Sequence, residues 1–224
     1  MHLRNVILAI LVVATVALAQ TTLDSPFQVR YATNYTAPTG IDGQINMINV
    51  GANGTVPQFG PDFGTAGGNI CVNVYVFDPA EELLACCSCN ITPDAVKTLS
   101  VSQIMTNLLT PEKPTSLVIK LLGSNGGKTD FTDTACSKEA AQVVQPQVPA
   151  VAHQYNGGYI AFGTAAHAGA GGVMQIAETP FLPATLSPSE LVSLTTRCSA
   201  IIGNGSKFGQ CPGCAAGALG SVKK

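Results

Sequence analysis

Three of the chain's eight cysteines are packed into Cys86-Cys87-Ser88-Cys89, and this cluster limits the fold more than any other feature. Successive residues of a β-strand point to opposite faces, so on a strand Cys86 and Cys87 must take different partners while Cys87 and Cys89 share a face. The other five cysteines, Cys71, Cys136, Cys198, Cys211 and Cys214, complete an even set. An even count in an exported chain reads as a disulfide framework. About 105 complete pairings are open to eight cysteines, and sequence does not choose among them.

Export is expected from residues 1–19. Arg4 gives a charged start, Ile7 to Leu18 an apolar run, and Ala17-Leu18-Ala19 a small-x-small cleavage site, so the mature chain is expected to begin at Gln20. The run is about a dozen residues, short of the roughly 20 that cross a bilayer as a helix, and no later segment is long and apolar enough. The expectation is a secreted, periplasmic or cell-surface protein with no transmembrane anchor. Lys and Arg number 11 against 13 Asp and Glu, scattered along the chain. Nucleic-acid binding asks for clustered basic side chains, and this chain has none. Residues 20–214 are expected to form one β-rich domain, with 46% hydrophobic residues to fill its core, and 215–224 a mobile tail.

Five Asn-Gly or Asp-Gly pairs, at Asp42, Asn53, Asn125, Asn156 and Asn204, tolerate the positive φ of tight turns and favour antiparallel structure. Between the turns, β-branched and aromatic residues predict eight strands: 27–35, 44–50, 69–77, 82–89, 98–101, 116–122, 159–165 and 173–178. These imply an antiparallel β-sandwich. In the clearest hairpin Ile70, Val72, Val74 and Val76 face the core, and Asp78-Pro79-Ala80-Glu81 reverses the chain. A four-residue turn sets Val76 opposite Leu83, which puts Leu83, Ala85, Cys87 and Cys89 on the core side and Leu84 and Cys86 with Cys71 on the other. On that reading Cys86 pairs near Cys71, and Cys87 or Cys89 reaches a core partner such as Cys198.

One C-terminal helix is expected after Ser187, with Pro188 in the first turn and Glu190 closing a capping box. Leu191, Leu194, Cys198 and Ile201 repeat on its buried stripe. Thr92-Pro93-Asp94 predicts a single turn. Segments 123–149 and 163–173 read as displayed loops, the first tied down through Cys136.

Other chemistry is weaker. Cys87-x-Cys89 and Cys211-x-x-Cys214 offer four thiolates to zinc, though the first spacing is tight. Cys211-Pro212-Gly213-Cys214 has the form of a redox dithiol, but the helix that would lower a thiol pKa is missing after it. His153 and His167 are the histidines of the mature chain, and no Gly-x-Ser-x-Gly accompanies them. The glycines at 169–172 lack the lysine of a phosphate loop. Glu81 and Glu82 read as solvated turn residues; Asp130 and Asp133 are two oxygen donors short of a third for calcium. Sequons start at Asn34, Asn53, Asn90 and Asn204. No catalytic, cofactor or metal residues are assigned.

The stretch Ile70 to Asp78, with its Tyr75-Val76-Phe77, followed by Cys86-Cys87-Ser88-Cys89-Asn90-Ile91-Thr92-Pro93-Asp94, resembles a group of uncharacterised secreted bacterial proteins with a Cys-Cys-x-Cys-x-x-Thr-Pro segment. The resemblance implies export and carries no activity. The sequence therefore reads as a non-enzymatic structural or binding module whose partner is an envelope or extracellular component. The alternative is a secreted carbohydrate-active hydrolase, or a metal or redox protein using the cysteine pairs.

Overall fold

The computed structural model describes residues 25–33, 42–54, 68–105, 114–125, 136, 155, 157–198, 200–202 and 209–214. The expected leader and Gln20 start, the tail 215–224, Asp130, Asp133, His153, Asn34, Asn204 and most of 123–149 lie outside these residues. The strands are β1 (Phe27–Thr33), β2 (Gln44–Asn49), β3 (Ile70–Phe77), β4 (Leu83–Ile91), β5 (Val96–Ser100), β6 (Ser116–Asn125), β7 (Tyr159–Ala168), β8 (Met174–Pro180) and β9 (Leu182–Pro183). They build a five-stranded sheet in the order β4-β3-β6-β1-β9 and a four-stranded sheet in the order β5-β2-β7-β8, with every pairing antiparallel. Each of the eight predicted strands is present, and β9 is added.

Alternation decides which residues face inward. Ile70, Val72, Val74 and Val76 of β3, with Leu117, Ile119 and Leu121 of β6, pack against Ile45 and Met47 of β2, Leu99 of β5, and Tyr159 and Ala161 of β7. This is the sandwich core. The other face of the five-stranded sheet carries Phe27, Cys71, Tyr75 and Leu122, and it is covered by Leu194, Cys198 and Ile202. Those three come from helix α2 (Pro188–Cys198) and the turn after it; α1 is a single turn, Val101–Ile104.

The β3–β4 register departs from the sequence reading. Val76 pairs with Ala85 and Phe77 with Leu83, and an irregularity lies between them. The reversal is longer than a four-residue turn because the Asp78 carboxylate accepts from the amides of both Ala80 and Glu82, and Glu81 takes φ 65°. The extra residue moves Leu84 to the core side and Leu83 to the helix side, the reverse of expectation. Beyond the irregularity the expected faces hold, with Cys87 and Cys89 inward and Cys71 and Cys86 outward.

Other expectations also change. Asp42-Gly43 is not a hairpin turn: Asp42 accepts from the Ser102 amide (3.1 Å) and hydroxyl (2.7 Å) and from the Ser100 hydroxyl, pinning the β5–α1 junction. Asn53-Gly54 does turn, with Gly54 at φ 104°. The segment 163–173 is chiefly strand, because β7 runs on to Ala168 and pairs with β8 to its end. Ser187 caps α2 through the Glu190 amide (3.2 Å), but the Glu190 carboxylate leaves the capping box for Lys120, 2.5 Å away. Thr92 to Ala95 forms the expected single turn.

Two buried tyrosines make the packing sensitive to base. Tyr159 spans the core and donates to the Pro26 carbonyl (3.2 Å), while Tyr75 lies beneath α2 beside Tyr155. Burial pushes both phenols far above their ordinary value of 10.0, and Tyr155 adds to the shift of Tyr75. The folded protein therefore keeps protons that the unfolded chain releases above pH 10, so this stabilisation is complete below that value and is lost as pH rises. Lys97, lowered by burial, acts with the opposite sign just below its ordinary 10.5. The two phenols are expected to dominate: stability to denaturant should fall from about pH 10 upward. Ultraviolet titration should show Tyr75 and Tyr159 ionising only as the fold is lost.

Candidate functional site

Strand β4 gathers most of the cysteine chemistry. Cys86, on the outer face, bridges to Cys198 at the end of α2, and Cys71 of β3 bridges to Cys136 on the same side. Cys87 and Cys89, on the inner face, bridge to Cys211 and Cys214. All eight cysteines are paired. Cys198 does fasten helix to sheet, but through outward Cys86 rather than an inward cysteine, because α2 covers the outer face. Cys71 and Cys86 take separate partners, since the actual register sets Cys71 opposite Asn90 and Cys86 opposite Tyr75.

The segment 209–214 forms a strap along the outer edge of β4. The Ser88 amide donates to the Gly209 carbonyl (2.8 Å) and the Cys211 amide donates to the Ser88 carbonyl (3.2 Å), a short parallel pairing that covers an otherwise open sheet edge. Cys211 to Cys214 then turns beneath β5, where Gly213 takes φ 94° and any Cβ would meet the Thr98 carbonyl at 2.7 Å. Lys97 is 8% exposed and donates to the Cys214 carbonyl at 3.1 Å. Its ammonium is held there at a desolvation cost, which lowers its pKa. Cys211 and Cys214 are not bonded to each other, so the redox-dithiol reading of that motif does not describe this state. The sulfurs of Cys89, Cys211 and Cys214 all lie within 4.8 Å of one another.

The opposite side of the sandwich exposes a hairpin. β2 pairs with β7 only as far as Thr164, whereas β7 and β8 continue to Ala168 and Met174 as a two-stranded ribbon. β8 is the edge of its sheet and is exposed from Gln175 to Pro180; Val173 and Ile176 are 64% and 71% exposed. His167 is exposed on the ribbon opposite Gln175. At the ribbon's base Arg30 of β1 reaches across the sandwich to the Thr179 carbonyl (2.6 Å) and hydroxyl, and lies over the Phe181 ring. Partial burial lowers its pKa.

Glu81 and Glu82 are exposed in the β3–β4 turn, as expected. Asn53 is exposed and Asn90 is buried, so their sequons differ in access. Sequence reasoning passed over Arg30 and Lys97, although both carried a signal. Each is a cation on the inward-facing alternation of its strand, Arg30 with Ala32 and Lys97 with Leu99. Among the described residues no helix is long and apolar enough to cross a membrane. Comparison with family models, curated proteins and solved structures gives no match.

Two expectations follow from this geometry. A Cβ at Gly163 would fall 2.3 Å from the Arg30 Nε, at the flexible end of that side chain, so Gly163→Ala should displace the guanidinium from Thr179 and cost only about 1 kcal/mol in urea melts, with little added cost where Arg30→Ala is already present. The strap bridges span 124 and 125 residues and lie side by side. With Cys86–Cys198 intact, the first strap bridge closes a ring of about sixteen residues, worth about 3 kcal/mol by loop entropy, and the second a ring of about seven, worth about 2 kcal/mol. Removing Cys87–Cys211 or Cys89–Cys214 alone, by paired Cys→Ser changes, should therefore cost about 2 kcal/mol, and removing both about 5 kcal/mol.

Proposed function

We propose that the protein is a secreted, non-enzymatic structural or binding module of the cell envelope or extracellular space. The observation that carries this reading is the contrast between the two ends of the molecule. One side is cross-linked by four disulfides on β3, β4, α2 and the strap, while the other presents the β7–β8 ribbon with exposed Val173 and Ile176 and an open strand edge. A braced sandwich displaying a protruding hairpin suits recognition, because the hairpin's exposed apolar side chains stand clear of the cross-linked body. An open edge also offers main-chain donors and acceptors to an extended partner segment.

Export rests on the leader-like residues 1–19, on the disulfide set, and on the resemblance of the Cys-Cys-x-Cys-x-x-Thr-Pro segment to secreted bacterial proteins. The purified mature domain is expected to bind envelope or extracellular polymer in sedimentation assays and to show no turnover on polysaccharide, ester and peptide panels. Val173→Asp combined with Ile176→Asp should weaken that binding about tenfold or more while leaving circular dichroism unchanged. Undiminished binding by the double variant would remove the ribbon from the proposal. Hydrolysis abolished by changing a single carboxylate would replace it with an enzyme.

A further inference from the structure

We infer that the strap conceals a second chemical state: reduced at its two disulfides, the clamp is a tetrathiolate site for a zinc-class cation, held by Cys87, Cys89, Cys211 and Cys214. The geometry is already close to that arrangement. A tetrahedral zinc ion with sulfurs at about 2.3 Å spaces them about 3.8 Å apart. The Cys89, Cys211 and Cys214 sulfurs all lie within 4.8 Å of one another, and Cys87, bonded to Cys211, shares the inner face of β4 with Cys89. The four come from two short pieces of chain, a strand and a turn, that backbone hydrogen bonds at the parallel Ser88–Gln210 bridge also join side by side. All four residues are buried, which shields thiolates from competing water ligands.

Charge supports the assignment independently. Lys97 is buried, at 8% exposure, and its ammonium donates to a neutral carbonyl, that of Cys214. A zinc ion with four thiolates carries a net charge of about −2, and an ammonium fixed at the rim opposes it. Beside two neutral disulfides the same cation forms no ion pair among the described residues.

The balance is simple. Each S–S bond exchanges with an external dithiol, which leaves as its own disulfide and supplies two electrons and two protons, giving four thiols. Zinc then binds as the four protons pass to solvent, with no change in its oxidation state. The other two bridges, Cys71–Cys136 and Cys86–Cys198, lie on the opposite face of the five-stranded sheet, so their sulfurs supply no ligand even when excess dithiol opens them.

Wild-type mature protein, reduced with excess dithiol, desalted without air and titrated with Zn²⁺, should take up one ion per chain by native mass spectrometry. Zinc-edge X-ray absorption should show four sulfurs at about 2.3 Å. Cys71→Ser/Cys136→Ser should keep the ion, and Cys211→Ser/Cys214→Ser should lose it. The absorption measurement on wild type stands even if a variant fails to fold. The inference falls if reduced wild type takes up no zinc, if oxygen or nitrogen ligands predominate, or if the ion survives loss of Cys211 and Cys214.

Discussion

The two-residue period of one strand organises most of this protein. Because β4 alternates, Cys86 faces the helix side while Cys87 and Cys89 face the core side, so a single strand is bonded to α2 in one direction and to the strap in the other. β4 is also an outer strand of its sheet, where unpaired backbone groups would otherwise invite another chain. The strap occupies that edge through Ser88, and the disulfides keep it there. A register slip of one residue would turn every cysteine on β4 to the wrong face, so the bridges and the pairing with β3 enforce each other.

Polar groups complete what sulfur begins. Asn49, buried at the end of β2, donates to the carbonyls of Gly68 and Ile91, both at 2.9 Å, and its own carbonyl accepts from the Asp94 amide. One side chain thus ties the four-stranded sheet to the start of β3 and the end of β4. Gln28 reaches from β1 to the Tyr159 carbonyl, closing the other side. Each of these bonds satisfies a backbone group that would be costly to bury alone, and each joins the two sheets at a point where no strand pairs with another.

Much of the fold was legible in the sequence, for a local reason. In Ile70–Phe77 a β-branched residue occupies every second position over eight residues, a period that strand geometry alone makes legible. Ser187 and Pro188 mark the start of α2 in the same local way. Errors arose where a polar side chain chose among competing partners, near or distant. The β3–β4 register turned on how many amides the Asp78 carboxylate would bind, and Glu190 left its cap for Lys120, some seventy residues earlier in the chain. The stretch at 165–168 looked like a loop because its alanines carry little strand signal and glycines follow at 169, yet pairing with β8 made it a strand. The bridge partners lay furthest from local inference, since Cys86 and Cys198 are separated by 112 residues.

The two sheets are consequently held by different means. The five-stranded sheet is cross-linked on both faces, to α2 and Cys136 outside and to the strap inside. Among the described residues, no cystine enters the four-stranded sheet, which is joined to the rest by core packing, by Asn49 and Tyr159, and by the Lys97 and Arg30 contacts. Bridges limit how far the first sheet can open, so local opening belongs to the second. Within it, the ribbon beyond Thr164 has only one neighbouring strand on each side of its turn and few buried side chains. The ribbon proposed as the contact surface is thus less restrained than the other described strands, and the Arg30 guanidinium, close against Gly163 and bonded to Thr179, marks its base.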